Sequence, residues 1–259
     1  MSKASYVTGL RAVEELLARP SVRIRKIFAE YQTENPRVAA LIDAANARGI
    51  EIQPANRARL AQISGEPRHQ GIVAEVQRST VLDEAGLRTL VERSLTASGG
   101  PPLLLLLLDG LQDPHNLGAC MRTADAAGVD AVVVPRHGAA GLSPTVSKVA
   151  AGAAEVLPFA AVPSLVRVLA WLGDYGVLRL GTSDAAPSSL FEAELGRPLA
   201  LVMGREHAGL GAPVADRCDQ LVNLPMLGTV SSLNVSVATG ICLYETLRQR
   251  SLKAAPGGD

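Results

Sequence analysis

The feature that most constrains the fold is an unbroken apolar run from Leu103 to Leu108, which ends at Asp109 and Gly110. A half-buried strand alternates apolar and polar side chains, whereas this run has no polar side to turn toward water. Such a strand is typical of a parallel sheet whose two faces are both covered by helices. The run is far too short to cross a bilayer as a helix. It therefore predicts an α/β protein built around a parallel sheet.

Helix and strand signals alternate on both sides of this run. Before it, helices are predicted at residues 8–19, 36–48 and 54–63, with Thr8 capping the first and Pro54 opening the third. Strands are predicted between them at residues 24–29, 50–53 and 71–76. After it come predicted helices at residues 114–127 and 233–250, and strands at 131–134, 156–159, 177–181, 199–203 and 221–224. The second half is therefore predicted to be a doubly wound α/β domain.

The densest cluster of chain breakers is SGGPP at residues 98–102, which follows a predicted amphipathic helix at residues 83–97. Domain boundaries commonly fall in such Gly- and Pro-rich stretches. The sequence thus predicts a first domain at residues 1–77, a linker at residues 78–102 and a second domain at residues 103–252.

The net charge of zero hides an asymmetry between the two halves. Residues 1–80 carry 12 Lys and Arg against 8 Asp and Glu, whereas residues 81–259 carry 13 against 17. A basic front half and an acidic back half indicate that the first domain contacts a polyanion. The first residues, MSKASYVTGL, lack the apolar stretch of a signal peptide, which favours a cytoplasmic protein without a membrane partner.

Several common enzyme classes lack their sequence signals. The first strand of the second domain is followed by DGLQDPHNLG rather than by the GxGxxG of a dinucleotide site, and no GxxxxGK[ST] phosphate loop occurs. There is no GxSxG nucleophile elbow and no HExxH zinc motif. The three cysteines are widely spaced, so neither a disulfide framework nor a metal site is predicted.

Polar residues cluster at three places where predicted strands end, which is where open parallel sheets bind ligands. Asn116 and Arg122 begin a helix, Glu206 lies in Gly-x-Glu-x-x-Gly, and Ser232 and Asn234 precede the last helix. For each residue alone, a structural role is at least as common: a helix cap, a surface arginine or a loop carboxylate. Local pattern alone therefore leaves both interpretations open.

Three long motifs resolve this ambiguity by resemblance. They are LDGLQDPHNLGACMRTADAAGVDAVV at residues 108–133, LVMGREHAGL at 201–210 and LPMLGTVSSLNVSVATGICLYE at 224–245. In order and spacing they resemble the SpoU branch of the SPOUT methyltransferases. VTGLRAVEELL and HQGIVAEV in the first domain look like this family's RNA substrate-binding domain, which is similar to ribosomal protein L30e.

The resemblance implies an S-adenosylmethionine (AdoMet)-dependent RNA ribose 2′-O-methyltransferase whose parallel sheet carries a deep trefoil knot. The cofactor is expected inside the knot, held by residues at motif positions: Thr182, Met203, Gly204, Leu224, Met226 and Leu233. Gly204 and Gly228 are expected to allow close backbone approach there, because they lack side chains.

The resemblance also implies catalytic roles. Arg122 is expected to bind the phosphate beside the target ribose and to assist deprotonation of the 2′-hydroxyl. Because arginine is protonated at neutral pH, Arg122 positioning the phosphate while water takes the proton is an equal alternative. Further residues are expected to orient Arg122 and the substrate: Asn116, Glu206, Ser232 and Asn234. No metal is implied, and a homodimer is expected because two-fold dimers are the commonest soluble assemblies.

RNA is the predicted partner, and DNA is not. The expected RNA contacts in the first domain are basic residues, with His69 and Gln70 beside them: Arg11, Arg23, Arg25, Lys26 and Arg68. The resemblance favours a guanosine of 23S rRNA as the substrate. Three alternatives stay open: a tRNA guanosine methyltransferase, an enzyme acting on an rRNA adenosine, and a non-catalytic RNA-binding protein of ribosome assembly.

Overall fold

A computed structural model describes residues 4–18, 24–31, 33, 35–65, 67–77, 81–205 and 209–254. The chain divides into two compact units, Met1–Thr80 (unit 1) and Val81–Asp259 (unit 2). The division falls before the breaker cluster at residues 98–102, because residues 81–102 fold with unit 2. In the described part of the chain, no helix is both long and apolar enough to cross a membrane.

Unit 1 alternates strands and helices around one mixed sheet. Its elements are Ala4–Thr8 (β1), Leu10–Leu17 (α1), Ile24–Glu30 (β2), Pro36–Ala47 (α2), Glu51–Ala55 (β3), Arg57–Ser64 (α3) and Ile72–Gln77 (β4). The strand order is β1-β4-β2-β3, in which β4 runs antiparallel to β1 and β2 while β2 and β3 are parallel. β1 was not predicted, and the sequence-predicted third helix was placed too early.

The N-terminus of α1 is capped from a distant loop. Thr8 was predicted to cap this helix, but Thr8 ends β1 and the N-cap position is Gly9, which has no side chain. Instead, the Leu10 N–H donates to Gln70 Oε1 at 3.0 Å. A Cβ on Gly9 would lie 2.9 Å from that same oxygen, so glycine is what lets Gln70 reach the helix. The two segments of unit 1 that resemble the family therefore contact each other.

Replacing Gln70 with alanine is expected to destabilise the start of α1 by about 1 kcal/mol, since the cap acceptor is lost. Amide hydrogen exchange within α1 should accelerate about fivefold. The single tryptophan, Trp171, lies in unit 2, so its fluorescence should not change. Gln62→Ala, on the exposed surface of α3, is the matched control. Equal exchange rates in both variants would contradict this capping role.

Pro54 does not open a helix. It lies in β3 opposite Ala29, and Asn56 caps α3 by accepting a hydrogen bond from the Arg59 N–H at 2.8 Å. β3 is an edge strand of its sheet. Proline lacks an N–H to donate, and an edge position tolerates this loss.

Unit 2 is built on a sheet whose strand pairs are all parallel. Its helices are Glu84–Thr96 (α4), Pro114–Ala126 (α5), Pro144–Ala150 (α6), Ala153–Val156 (α7), Leu165–Asp174 (α8), Ala212–Ala215 (α9) and Val235–Ala254 (α10). Its strands are Leu104–Leu108 (β5), Ala131–Pro135 (β6), Phe159–Val162 (β7), Leu178–Thr182 (β8), Ser188–Ser189 (β9), Leu199–Met203 (β10) and Gln220–Asn223 (β11). The strand order is β7-β6-β5-β10-β8-β11-β9.

The leucine run forms β5 in the middle of this sheet, with all five strand residues buried. Leu104, Leu106 and Leu108 pack in one core with residues of α5, α6 and α10. Leu103, Leu105 and Leu107 pack in the other with residues of α4 and α8. Burial on both faces confirms the prediction from the run, and each fully buried leucine contributes about 2 kcal/mol of transfer free energy.

The predicted linker contains a structural part of unit 2. Leu87 and Val91 of α4 are fully buried in the core beneath β5 and β6. Glu84 of the same helix pairs with Arg167 of α8 through two hydrogen-bonded nitrogens. The chain breakers at residues 98–102 thus connect α4 to β5 within one unit.

The strand predicted at residues 156–159 is displaced. Val156 ends the short helix α7, and β7 begins only at Phe159, after Pro158. Pro158 cannot donate to a neighbouring strand, but its carbonyl accepts from the Val132 N–H at 2.9 Å. The pairing of β7 with β6 therefore starts at Phe159, one residue after Pro158.

Candidate active site

A cavity of about 550 Å³ opens at the carboxyl edge of the unit 2 sheet. It lies where β8, β10 and β11 end and where the segment leading into α10 passes over them. All six residues predicted to hold the cofactor line it: Thr182, Met203, Gly204, Leu224, Met226 and Leu233. Its volume lies within the range of small-molecule sites, about 300–1,000 Å³.

The backbone after β10 folds back tightly on itself at the cavity wall. The Arg205 N–H donates to the Gly209 carbonyl at 2.9 Å, and the Gly209 N–H donates to the Arg205 carbonyl at 3.1 Å. A Cβ on Gly204 would lie 2.2 Å from the Gly209 carbonyl carbon and 2.4 Å from the Leu210 nitrogen. No side chain fits there, because the Gly209–Leu210 backbone packs directly against Gly204. Close approach of the cofactor to the backbone at Gly204 stays a prediction.

Gly228 is not packed against other parts of the protein. A Cβ built on Gly228 meets nothing within 4 Å. The segment around it is solvent-exposed, and the neighbouring Leu227 is 99% exposed. The expectation that the cofactor approaches the backbone at Gly228 stays a prediction.

Two predicted catalytic residues that are far apart in sequence are joined by a hydrogen bond. Asn234 Nδ2 donates to Asn116 Oδ1 at 3.0 Å, which links the segment before α10 to the first turn of α5. Asn234 Oδ1 in turn accepts from the Ser236 N–H at 2.9 Å, so Asn234 also caps α10. The capping interpretation of this residue is confirmed, while its catalytic role stays a prediction. Ser232 lines the same cavity, as do both asparagines.

Arg122 lies apart from this group. It is exposed on α5 and is not among the described residues that line the cavity. At 100° per residue, Arg122 and Asn116 are about 120° apart around the helix, which agrees with their different surroundings. Glu206, the remaining predicted catalytic residue, lies outside the described residues.

The cavity also contains side chains that were not predicted. Arg205 follows β10, while Ser183 and Asp184 follow β8, and all three line the wall. Arg205 stands inside the motif LVMGREHAGL, between two positions that the resemblance singled out. The signal available in the sequence was its position directly after a strand end.

The described basic residues predicted to contact RNA lie near opposite ends of β4 in unit 1. Arg11 and Arg68 are exposed near the Gly9–Gln70 contact, where β4 begins. Arg25 and Lys26 lie at the other end of β4, 3.8 Å from Glu75 and 3.7 Å from Glu51. Arg23 lies outside the described residues.

His69 is a structural residue of this turn rather than an exposed RNA contact. Its side chain is buried, with 4% exposure, and its Nδ1 accepts from the Gly71 N–H at 3.1 Å. This hydrogen bond holds the turn that presents Gln70 to α1.

Two of the three cysteines, Cys218 and Cys242, show no sign of nucleophilic activation. Burial raises the pKa of the Cys218 and Cys242 thiols to about 12, so both stay protonated at neutral pH. Within the described ranges, no group of three or more His, Cys, Asp or Glu side chains is arranged to hold a metal ion.

Comparison with known proteins identifies the family. The sequence profile of the SpoU rRNA methylase family matches residues 103–244, and that of the RNA 2′-O ribose methyltransferase substrate-binding domain matches residues 6–82. The 23S rRNA (guanosine-2′-O-)-methyltransferase RlmB of Pseudomonas syringae pv. tomato is 47% identical over 99% of this chain and 100% of its own length. The chain therefore belongs to the SpoU rRNA methylase family.

Solved structures agree with this assignment. An RNA 2′-O ribose methyltransferase is 28% identical with a TM-score of 0.69, and the match covers 96% of this chain and 90% of that one. An AdoMet-bound rRNA methyltransferase from Sinorhizobium meliloti is 25% identical with a TM-score of 0.68, covering 95% and 88%. The predicted resemblance and the α/β fold with a parallel sheet are confirmed, while the trefoil knot and the likeness of unit 1 to L30e stay predictions.

Proposed function

We propose that this protein transfers a methyl group from AdoMet to the ribose 2′-hydroxyl of a guanosine in 23S rRNA. The observation that carries the proposal is the backbone-lined cavity at the carboxyl edge of the sheet, in a chain of this family whose full-length relative is a 23S rRNA guanosine methyltransferase. Because the relative's substrate is ribosomal RNA, the reaction is assigned to the cytoplasm.

The cavity is suited to hold the cofactor by its backbone. Gly204 lets the Gly209 turn pack directly against the end of β10, and Met203, Leu224 and Leu233 supply apolar walls. Peptide N–H and C=O groups can bind the polar edge of an adenine while the apolar walls exclude water. The cofactor brings an electrophilic methyl group on a sulfonium.

The residues around the cavity then have to position the ribose and help to remove a proton. Asn116, Ser232 and Asn234 are proposed to orient the substrate at the cavity mouth, where the hydrogen bond between the two asparagines fixes their side chains. Arg122 and Glu206 are assigned to the same task from motif position. Alignment of the reacting atoms is worth several kcal/mol in such a transfer, and proton removal adds to it.

A homodimer is proposed as the active form. Unit 2 exposes apolar side chains on the segment before α10 and on α10 itself: Leu227, Val230, Val237 and Tyr244. Val237 and Tyr244 are seven residues apart and so share one face of the helix. Covering such a surface with a second copy would remove it from water. Sedimentation of V237E at micromolar concentration should then show a monomer where the unsubstituted chain shows a dimer.

The test of function is transfer of tritiated methyl groups to separate unmodified RNAs. The purified chain is incubated with labelled AdoMet and 23S rRNA, 16S rRNA or bulk tRNA. Label only in 23S rRNA, at a guanosine located by 2′-O-methyl-sensitive primer extension, is the expected result. Label in tRNA alone would overturn the assignment to ribosomal RNA. AdoMet binding without methyl transfer to any of these RNAs would show that protein-free 23S rRNA is not the substrate.

The basic residues at the two ends of β4 should differ in RNA binding. Arg11→Gln with Arg68→Gln is expected to weaken binding of 23S rRNA about tenfold, because two cations with no ion pair among the described residues are lost from one end. Arg25→Gln with Lys26→Gln removes the same charge from residues that already face carboxylates, and should weaken binding less than threefold. Filter binding at fixed salt measures both. Equal losses would show that RNA contacts both groups of residues or neither.

A further inference from the structure

The cavity mouth carries a cationic side chain whose role neither the motifs nor the proposed function assigns. Arg205 is the one lysine or arginine among the described residues that line the cavity, and it is exposed. Apart from Asp184, its described neighbours in the wall are uncharged. A fixed positive charge at the mouth of a cavity favours an anionic ligand group.

The position of Arg205 is set by both its backbone and its stem. The two hydrogen bonds to Gly209 hold the backbone, as described above. The aliphatic part of the Arg205 side chain lies over Gly110, in the loop directly after β5. A Cβ on Gly110 would stand 3.0 Å from Arg205 Cδ and 3.2 Å from its Cγ. Gly110 has φ of +73°, which already favours glycine, so the chain leaves room there for the stem.

The guanidinium is left available by its surroundings. The carboxylate of Asp109, which follows β5, accepts the Gly211 N–H at 2.8 Å. Within the described ranges, Arg205 has no side-chain hydrogen bond and no carboxylate within 4.0 Å. A planar guanidinium binds phosphate and carboxylate oxygens through two parallel N–H donors.

We propose that Arg205 binds a backbone phosphate of the RNA next to the target nucleotide, and so positions the ribose at the cavity mouth. This inference rests on the proposed function. The guanidinium of Arg205 could also bind the carboxylate of AdoMet. Because Arg205 is exposed, its position favours the RNA, which approaches the cavity mouth from solvent. Contacts to phosphates fix the register of the nucleic acid without reading its bases. Arg205 is therefore assigned to positioning rather than to base selection.

The test compares Arg205→Gln and Arg205→Lys in the full-length chain. Arg93→Gln, on the exposed side of α4, is the matched control. With unmodified 23S rRNA, R205Q should raise the KM for RNA about tenfold and leave kcat within about threefold, since one phosphate contact is lost. The magnitude of the slope of log RNA affinity against log salt concentration should fall by about 0.9, because one phosphate contact is lost. R205K should recover most of the affinity.

AdoMet affinity, measured by calorimetry without RNA, separates the two sources of the oxyanion. An unchanged Kd for AdoMet in R205Q together with weaker RNA binding supports the proposal. A raised Kd for AdoMet with unchanged RNA affinity would place the oxyanion on the cofactor and overturn it, as would RNA affinity and salt slope equal to those of R93Q. RNA affinity is read by filter binding, so the proposal is tested even if no methyl group is transferred, which would count against the proposed function alone.

Discussion

Replacing Gly204 with alanine should weaken AdoMet binding by at least about 100-fold. The new Cβ would stand 2.2 Å from the Gly209 carbonyl carbon and 2.4 Å from the Leu210 nitrogen. Both atoms belong to backbone, so neither can rotate away as a flexible side chain would. The turn after β10 must shift, and the cavity wall that it forms shifts with it. Calorimetric titration of AdoMet into the full-length chain measures this effect.

The matched control for this variant is Gly228→Ala. A Cβ on Gly228 meets nothing within 4 Å, so its Kd for AdoMet should stay within about twofold. Trp171 fluorescence during urea unfolding reports whether G204A still folds, because Trp171 lies in the core of unit 2. A folded G204A with the affinity of the unsubstituted chain would show that the wall of the cavity does not hold the cofactor.

Replacing Arg122 with alanine should lower kcat at least about 100-fold. The expected loss is that of a group that positions the phosphate or assists proton removal at the reacting hydroxyl. Because Arg122 is exposed and is not among the described residues of the cavity wall, the Kd for AdoMet should stay within about twofold. Single-turnover transfer of labelled methyl to 23S rRNA separates kcat from RNA binding.

Two further variants sharpen this result. Arg217→Ala removes an exposed arginine elsewhere on unit 2 and should leave kcat unchanged. Arg122→Lys keeps the charge but not the planar guanidinium, and it should restore activity only if charge near the phosphate is what matters. Full activity of R122A would remove Arg122 from the mechanism and leave the asparagine pair as the centre of the site.

Substitutions of Arg122 and of Arg205 are expected to change different kinetic constants. Loss of Arg122 should reduce the rate of transfer at saturating RNA, whereas loss of Arg205 should mainly raise the KM for RNA. A group that acts only in binding changes KM, and a group that acts on the reacting atoms changes kcat. The double variant should therefore combine both defects if the two arginines serve separate steps.

Local signals in the sequence were enough where one physical effect dominates. The leucine run had no polar side, and it became an interior strand with both faces buried. The polar residues at the strand ends were predicted to lie near a ligand site, and Asn116, Ser232 and Asn234 do line the cavity there. The cofactor residues, in contrast, came from resemblance to a family, since nothing in composition or periodicity points to a backbone-lined cavity.

Local signals were wrong where the partner comes from elsewhere in the chain. Thr8 has the chemistry of a helix cap, but the cap of α1 is Gln70, sixty residues away. Pro54 has the chemistry of a helix start, but it lies in an edge strand that tolerates its missing N–H. In each case, several conformations suit the local sequence, and tertiary packing selects among them.

The sequence by itself determined the layering of unit 2, the order of its motifs and the family to which it belongs. Apolar runs and long motifs depend only on the order of residues along the chain. Only the tertiary structure decided that Asn234 meets Asn116 across 118 residues, that Gly204 rather than Gly228 requires the absence of a side chain, and that Arg205 reaches the cavity mouth. Each of these findings is a contact between segments that are distant in sequence. Such segments meet only when the parallel strands place their carboxyl ends at the same edge of the sheet.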